Sequence, residues 1–125
     1  MSHNKIYSIS DLAREFDLTP RSIRHYEDEG LLCPSRNGQQ RVFTQRDRVR
    51  LQLIQRGKSV GFSLAEIKEI IDLYDLPHGE ELQAQVLRSK INDRRLQLHQ
   101  QQADIEHMLQ ELNEIEAKVR PVAKA

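Results

Sequence analysis

Apolar residues recur at helical spacing in several separate stretches of this chain, and the polar punctuation between them sets an order of elements. Ile6-Tyr7-Ser8-Ile9 is a short β-prone piece. Ser10 is placed to cap a first helix that carries Leu12, Ala13 and Phe16 on one face. Asp17-Leu18 breaks that pattern. Thr19-Pro20 then opens a second helix, because Thr caps well and proline lacks only an N–H that has no partner in the first turn. The second helix runs to about Glu29 and is closed by Gly30, a natural left-handed terminator. Two short helices joined by a tight turn predict a helix-turn-helix.

Leu31-Leu32, a polar tip at Arg36-Asn37-Gly38, and Arg41-Val42-Phe43-Thr44 predict a β-hairpin, which in this position is a wing. From Gln45 to about Lys58 a third helix turns Val49, Leu51, Leu53 and Ile54 towards a core, and Gly57 to Gly61 ends it. Ser63 caps a fourth helix, with Glu66 completing a capping box and Leu64, Ile67, Ile70, Ile71 and Tyr74 as its apolar stripe.

Asp75-Leu76-Pro77-His78-Gly79 reads as a linker. From Glu80 to about Val119 there is neither glycine nor proline. Ile91, Leu98, Ile105, Leu112 and Val119 recur every seven residues, and the companion row reads Leu87, Arg94, Gln101, Met108, Ile115. One apolar row and one mixed row predict a coiled coil seamed by Leu87, Ile91, Leu98, Ile105, Met108, Leu112, Ile115 and Val119. A helix of this length spans roughly 60 Å. A fold back onto its own domain would leave much of the stripe open, since the fourth helix could cover only part of it. The expected partner is a second copy, in a twofold homodimer.

The expected fold class is therefore mainly α. A candidate DNA-binding winged helix-turn-helix occupies residues 1–75, a linker 76–79, a coiled-coil dimerisation helix 80–120 and a short tail 121–125.

Charge makes the DNA assignment more specific. The formal net charge is zero, but residues 1–61 hold 11 Lys/Arg against 7 Asp/Glu, and residues 62–125 hold 8 against 12. Between Pro34 and Lys58 seven basic residues stand against one acid, Asp47. A polyanion-binding half joined to an acidic half is the simplest reading. Arg21, Arg24 and His25 fall on the outward side of the second helix, where arginine can reach guanine bidentately or clamp a phosphate. Tyr26 joins this candidate set, although it shares the inward side with Ile23 and Glu27. Arg36, Asn37 and Arg41 on the wing, and Arg56 and Lys58 late in the third helix, are candidates for phosphate or minor-groove contact. Arg48 and Arg50 are equally placed for intramolecular ion pairs.

Other chemistry has little to stand on. The only cysteine is Cys33, which allows no intrachain disulfide and is read as a packed small hydrophobe. The five histidines show no i, i+4 ligand pair, so no metal or cofactor is assigned. Cys33 with His25 lacks the acid, phosphate loop or metal set that an enzyme would need. No stretch approaches the roughly 18 apolar residues of a membrane span, and the N-terminus lacks a signal-peptide core, so a cytoplasmic location is expected.

Two blocks carry a family resemblance. Tyr7-Ser8-Ile9, Leu12-Ala13, Thr19-Pro20-Arg21-Ser22-Ile23-Arg24-His25-Tyr26-Glu27 and Gly30-Leu31-Leu32 resemble the start of MerR-family regulators. So do Arg41-Val42-Phe43, Asp47, Arg50-Leu51, Ile54 and Gly61-Phe62-Ser63-Leu64-Ala65-Glu66-Ile67. The resemblance implies a homodimer held by an antiparallel coiled coil. Its winged domains would bind a palindromic promoter with an overlong spacer, then bend and untwist it for RNA polymerase. Arg46-Asp47-Arg48-Val49-Arg50-Leu51, Arg56-Gly57-Lys58 and Asp93-Arg94-Arg95 look similar to regulators of leucine and isovalerate degradation genes.

The long helix lacks the cysteines of metal- and redox-sensing members, and after it come only Pro121-Val122-Ala123-Lys124-Ala125. Thiolate sensing and an appended effector domain are therefore not expected, and no small-molecule effector is identified. The alternative function is an excisionase-like architectural accessory protein, which shares the winged fold but usually lacks a 40-residue dimer helix.

Overall fold

Ser8, not Ser10, begins the first helix. Its hydroxyl accepts from the Asp11 N–H at 3.0 Å while its own N–H donates to the Asp11 carboxylate at 2.9 Å, a reciprocal box that Ser10 has no acid to form. In the computed structural model, which describes residues 5–73 and 75–119, the order is β1 (Ile6–Tyr7), α1 (Ile9–Phe16), α2 (Pro20–Asp28), β2 (Ser35–Asn37), β3 (Gln40–Thr44), α3 (Gln45–Ser59), α4 (Leu64–Leu73) and α5 (Gly79–Lys118). Tyr74 and the tail at 121–125 lie outside the described residues. The chain divides into two units, residues 1–86 and 87–125, the second being the larger part of α5.

The turn between α1 and α2 is short because Asp17 takes a left-handed conformation (φ 53°), and the N–H groups of Asp17 and Leu18 both donate to the Ala13 carbonyl. Thr19 caps α2 through its hydroxyl, 3.1 Å from the Ser22 nitrogen, with Pro20 in the first turn as expected. At the other end Gly30 adopts φ 78°; its N–H reaches the Glu27 carbonyl, and the Leu31 N–H reaches that of Tyr26. Those two bonds satisfy two carbonyls of the last turn of α2, and only glycine takes that backbone conformation freely.

Leu31 and Leu32 are not part of the hairpin. Both are buried in the core, and the hairpin begins only at Ser35. β2 and β3 pair antiparallel, with Arg36 opposite Arg41 and Asn37 opposite Gln40, across a two-residue loop of Gly38-Gln39. β1 adds to the other edge of β3, giving the order β1-β3-β2. The sheet is thereby tied to the segment that starts α1.

The core of the first unit gathers Leu12, Ile23, Leu31, Phe43, Leu51, Ile54 and Ile71 from α1, α2, the wing base, α3 and α4, all essentially without solvent exposure. Each contributes about 1.5–3 kcal/mol by removal from water. Val49 and Leu53 were expected to join them but are exposed. Each lies two residues from Leu51, roughly 200° round the helix at 3.6 residues per turn.

α3 ends inside Gly57–Gly61 as expected: Ser59 is its last residue, Val60 its C-cap, and the Phe62 N–H reaches the Gly57 carbonyl at 3.0 Å. Gly57 itself lies in the last turn, where a Cβ would sit 2.8 Å from Cγ1 of Ile67 on α4. The glycine is what lets the two helices approach. The predicted capping box at Ser63 and Glu66 is present at 3.0 and 3.1 Å.

Asp47 is buried, at 4% exposure, and satisfies three donors: the Thr44 N–H at 3.0 Å, the Thr44 hydroxyl at 3.2 Å and the Cys33 N–H at 3.2 Å. One carboxylate thus caps α3 and fixes the wing base. Asp47→Ala is expected to lower stability by about 1–3 kcal/mol through the donors it leaves unpaired. The check is a lower urea midpoint with an unchanged slope.

Candidate nucleic-acid interface

Arg21, Arg24 and His25 stand exposed on α2, as their i, i+3, i+4 spacing requires. Among the described residues, neither Arg21 nor Arg24 has an ion-pair or hydrogen-bond partner for its side chain. Such cations are fully available to a polyanion.

Tyr26 does not belong with them. It is buried, at 3% exposure, because it lies three residues after Ile23 on the inward stripe. Its hydroxyl accepts from Nζ of Lys58 at 3.2 Å, and the same ammonium lies 5.5 Å from the ring centroid. Tyr26 therefore acts as a post that fixes Lys58, at the end of α3, beside the base of α2. Arg56, two residues earlier on α3, is exposed, and its guanidinium has no partner among the described residues.

On the wing, Arg36 and Asn37 are exposed, whereas Arg41 is largely covered. Arg41 Nε donates to the Glu27 carboxylate at 2.6 Å, and Arg36 approaches the other oxygen of the same carboxylate at 3.5 Å. Wing and α2 are thus joined through Glu27, a residue the charge pattern gave no reason to single out.

The other arginines of the basic stretch are held in ion pairs, Arg48 and Arg50 largely covered and Arg46 exposed. Arg48 forms a forked pair with Glu15 on α1, its Nε at 2.8 and 2.9 Å from the two carboxylate oxygens. This guanidinium holds the Glu15 carboxyl below its ordinary value of 4.5. A carboxyl so lowered stabilises the fold above that value, and the contribution is lost as the pH falls through the folded-state value. Arg50 donates to the Leu31 carbonyl at 3.2 Å and to Asp75 at 2.6 Å, and Arg46 pairs with the same Asp75. The two open readings of Arg48 and Arg50 thus resolve to intramolecular pairs.

Cys33 is also corrected: it is exposed, and its backbone N–H donates to the Asp47 carboxylate. The two residues before it, Leu31 and Leu32, are the buried ones of this segment. Among the described residues no group of three or more His, Cys, Asp or Glu could hold a metal ion, and no helix is long and apolar enough to cross a membrane.

In the second unit the coiled-coil candidates on α5 are solvent-facing in the single chain. Exposure runs from 36% at Ile91 and 44% at Leu98 to 53% at Ile105 and 60% at Leu112. Met108 and Ile115 are exposed as well, Leu87 is half-buried, and Val119 lies one residue past the helix. Leu96 and Leu109 are exposed outside the two rows.

Comparison with known proteins agrees with this architecture. Residues 7–73 match the model of the MerR HTH family regulatory proteins, and residues 48–115 match that of the MerR DNA-binding region. The HTH-type transcriptional regulator CueR of Salmonella typhi is 36% identical over 85 residues, covering 64% of this chain and 61% of that protein. The match thus spans less than two thirds of that relative's length. CueR of Escherichia coli O6:H1 is 31% identical over 123 residues, 94% of this chain and 82% of the relative. A crystal structure of a MerR-family transcriptional regulator from Bacillus cereus superposes with TM-score 0.71 at 30% identity, covering 97% of this chain and 87% of that one. The fold also matches HiNmlR, a MerR-family regulator bound to promoter DNA, with TM-score 0.59 at 24% identity over 90% of this chain and 89% of that one. With its helix-turn-helix, wing and long C-terminal helix, this chain belongs to the MerR family of HTH regulatory proteins.

Proposed function

We propose that this chain is a sequence-specific transcriptional regulator that binds a palindromic promoter as a homodimer and distorts the DNA between the two half-sites. The observation that carries the reading is the face of α2. Arg21 and Arg24 are exposed there without partners among the described residues, next to a basic wing anchored to the same helix. α2 would enter the major groove, with Arg24 reading base edges. Arg36, Asn37, Arg56 and Lys58 would hold phosphates on either side and fix its depth. Arg41 would act mainly through the wing's geometry, since its charge is matched by Glu27.

The homodimer is supported by α5, whose second unit leaves a row of large apolar side chains in solvent. A strip of that kind is seldom left uncovered. An antiparallel pair would cover it and set two winged domains on one duplex, which RNA polymerase would then engage.

Control of branched-chain amino-acid catabolic genes rests on the charged blocks alone. Arg46, Arg48 and Arg50 of those blocks are held in ion pairs that would serve any member of the family. The proposal therefore stops at a promoter-binding regulator. Enrichment of duplexes from a random-sequence pool by the purified protein tests it. An inverted repeat should emerge, whereas a pool that stays random after repeated rounds would remove sequence-specific binding. An accessory architectural protein would instead enrich bendable steps without a repeated half-site.

A further inference from the structure

Arg36 and Arg41 are cross-strand partners, directly opposite each other on the wing. Like charges in that relation repel and weaken a hairpin. This hairpin is also short, with three residues in β2 and a two-residue loop. The wing nevertheless keeps both cations, because a carboxylate from a different element lies against them. Glu27 extends from α2, with one oxygen 2.6 Å from Arg41 Nε and the other 3.5 Å from Arg36. Its side chain and that of Arg41 are both only 22% exposed, so this contact is shielded from solvent more than a surface pair.

We propose that Glu27 is the positioning residue of the wing, holding Arg36 and Arg41 so that the hairpin presents a fixed face in register with the recognition helix. The inference rests on the DNA-binding proposal above. A carboxylate inside a basic surface weakens general attraction to phosphate. What it supplies instead is geometry, and geometry favours one duplex over another. Glu27 is thus assigned to specificity, at the expense of charge.

The test compares two probes: a duplex that the parent protein enriches from a random pool, and a scrambled duplex of the same length. The enrichment comes first and tests the DNA-binding proposal; its failure would remove both readings. With the enriched duplex in hand, Glu27→Gln is measured over a range of salt. Preference for the enriched over the scrambled duplex is expected to fall at least about tenfold. The slope of log affinity against log salt should steepen by about one, as a released guanidinium finds a phosphate. In an Arg36→Gln/Arg41→Gln background the same substitution should change the preference by less than about twofold, since the groups it positions are gone.

An unchanged preference in Glu27→Gln overturns the role and leaves the DNA-binding reading intact. An equal loss in the doubly substituted background also overturns it. Should Glu27→Gln fail to fold by circular dichroism, Glu27→Asp is read in its place. It keeps the charge but cannot span both arginines, so preference should fall while the salt slope stays. A preference equal to the parent's would overturn the assignment.

Discussion

Replacing Ile105 by aspartate is expected to turn the protein into monomers at micromolar concentration while leaving its helix content unchanged. Ile105 stands in the middle of the unbroken apolar row of α5 and is 53% exposed in the single chain. More than half of the side chain faces solvent in the single chain, so a charge there costs little until a partner covers it. In a dimer the change occurs twice, each time placing a carboxylate in an apolar seam without a cation to match it. Burying an ion in that way costs several kcal/mol. A loss of about 3 kcal/mol corresponds to a roughly hundredfold weaker dimer. Light scattering or sedimentation at several concentrations reads the outcome. A variant that remained dimeric at micromolar concentration would show that the row containing Ile105 is not the seam.

Arg24→Ala is expected to weaken binding to the enriched duplex by about 1–3 kcal/mol and to relax preference at one base pair of each half-site. Arg24 sits on the outward face of α2, one turn after Arg21, and its guanidinium has no intramolecular partner among the described residues. Removing it thus leaves nothing unpaired in the fold, and thermal stability should hold. Arg56→Ala, by contrast, should weaken enriched and scrambled duplexes alike, as befits a phosphate contact. Unchanged affinity and base preference in Arg24→Ala would place the reading surface elsewhere.

What the sequence made legible was the layout of elements with strong local signals. Thr19-Pro20, Gly30 and the Ser63/Glu66 box each fix a helix end within a few residues, and the structure keeps all three. Less legible were choices decided by tertiary contact. Ser8 and Ser10 are equivalent as caps until the acid three residues on is considered, and that criterion would have selected Ser8. Val49 and Leu53 are apolar but lie on the far side of Leu51; counting 100° steps from Leu51 and Ile54 would have placed them outside. Gly57 and Gly61 mark the end of α3 in one dimension, and the structure keeps it there, but the close approach of Gly57 to Ile67 is visible only in three.

The candidate site shows the same division. The exposed residues of α2 follow from helical spacing alone. Sorting the arginines does not, because Arg48 finds Glu15 33 positions away and Arg50 finds Asp75 25 positions away. Density of basic residues alone therefore does not separate paired from unpaired arginines. Glu27 was hidden for the converse reason. Within Glu27-Asp28-Glu29 it resembles an ordinary acidic run, and only the pairing of Arg36 with Arg41 reveals its task.

On this view two copies of the chain act together on one duplex. Native mass spectrometry of the parent protein with the enriched duplex measures it most directly. Two chains per duplex are predicted, with no one-to-one complex accumulating when duplex is in excess. A stable one-to-one complex of undiminished affinity would contradict the account, since a single winged domain would then suffice to read the site.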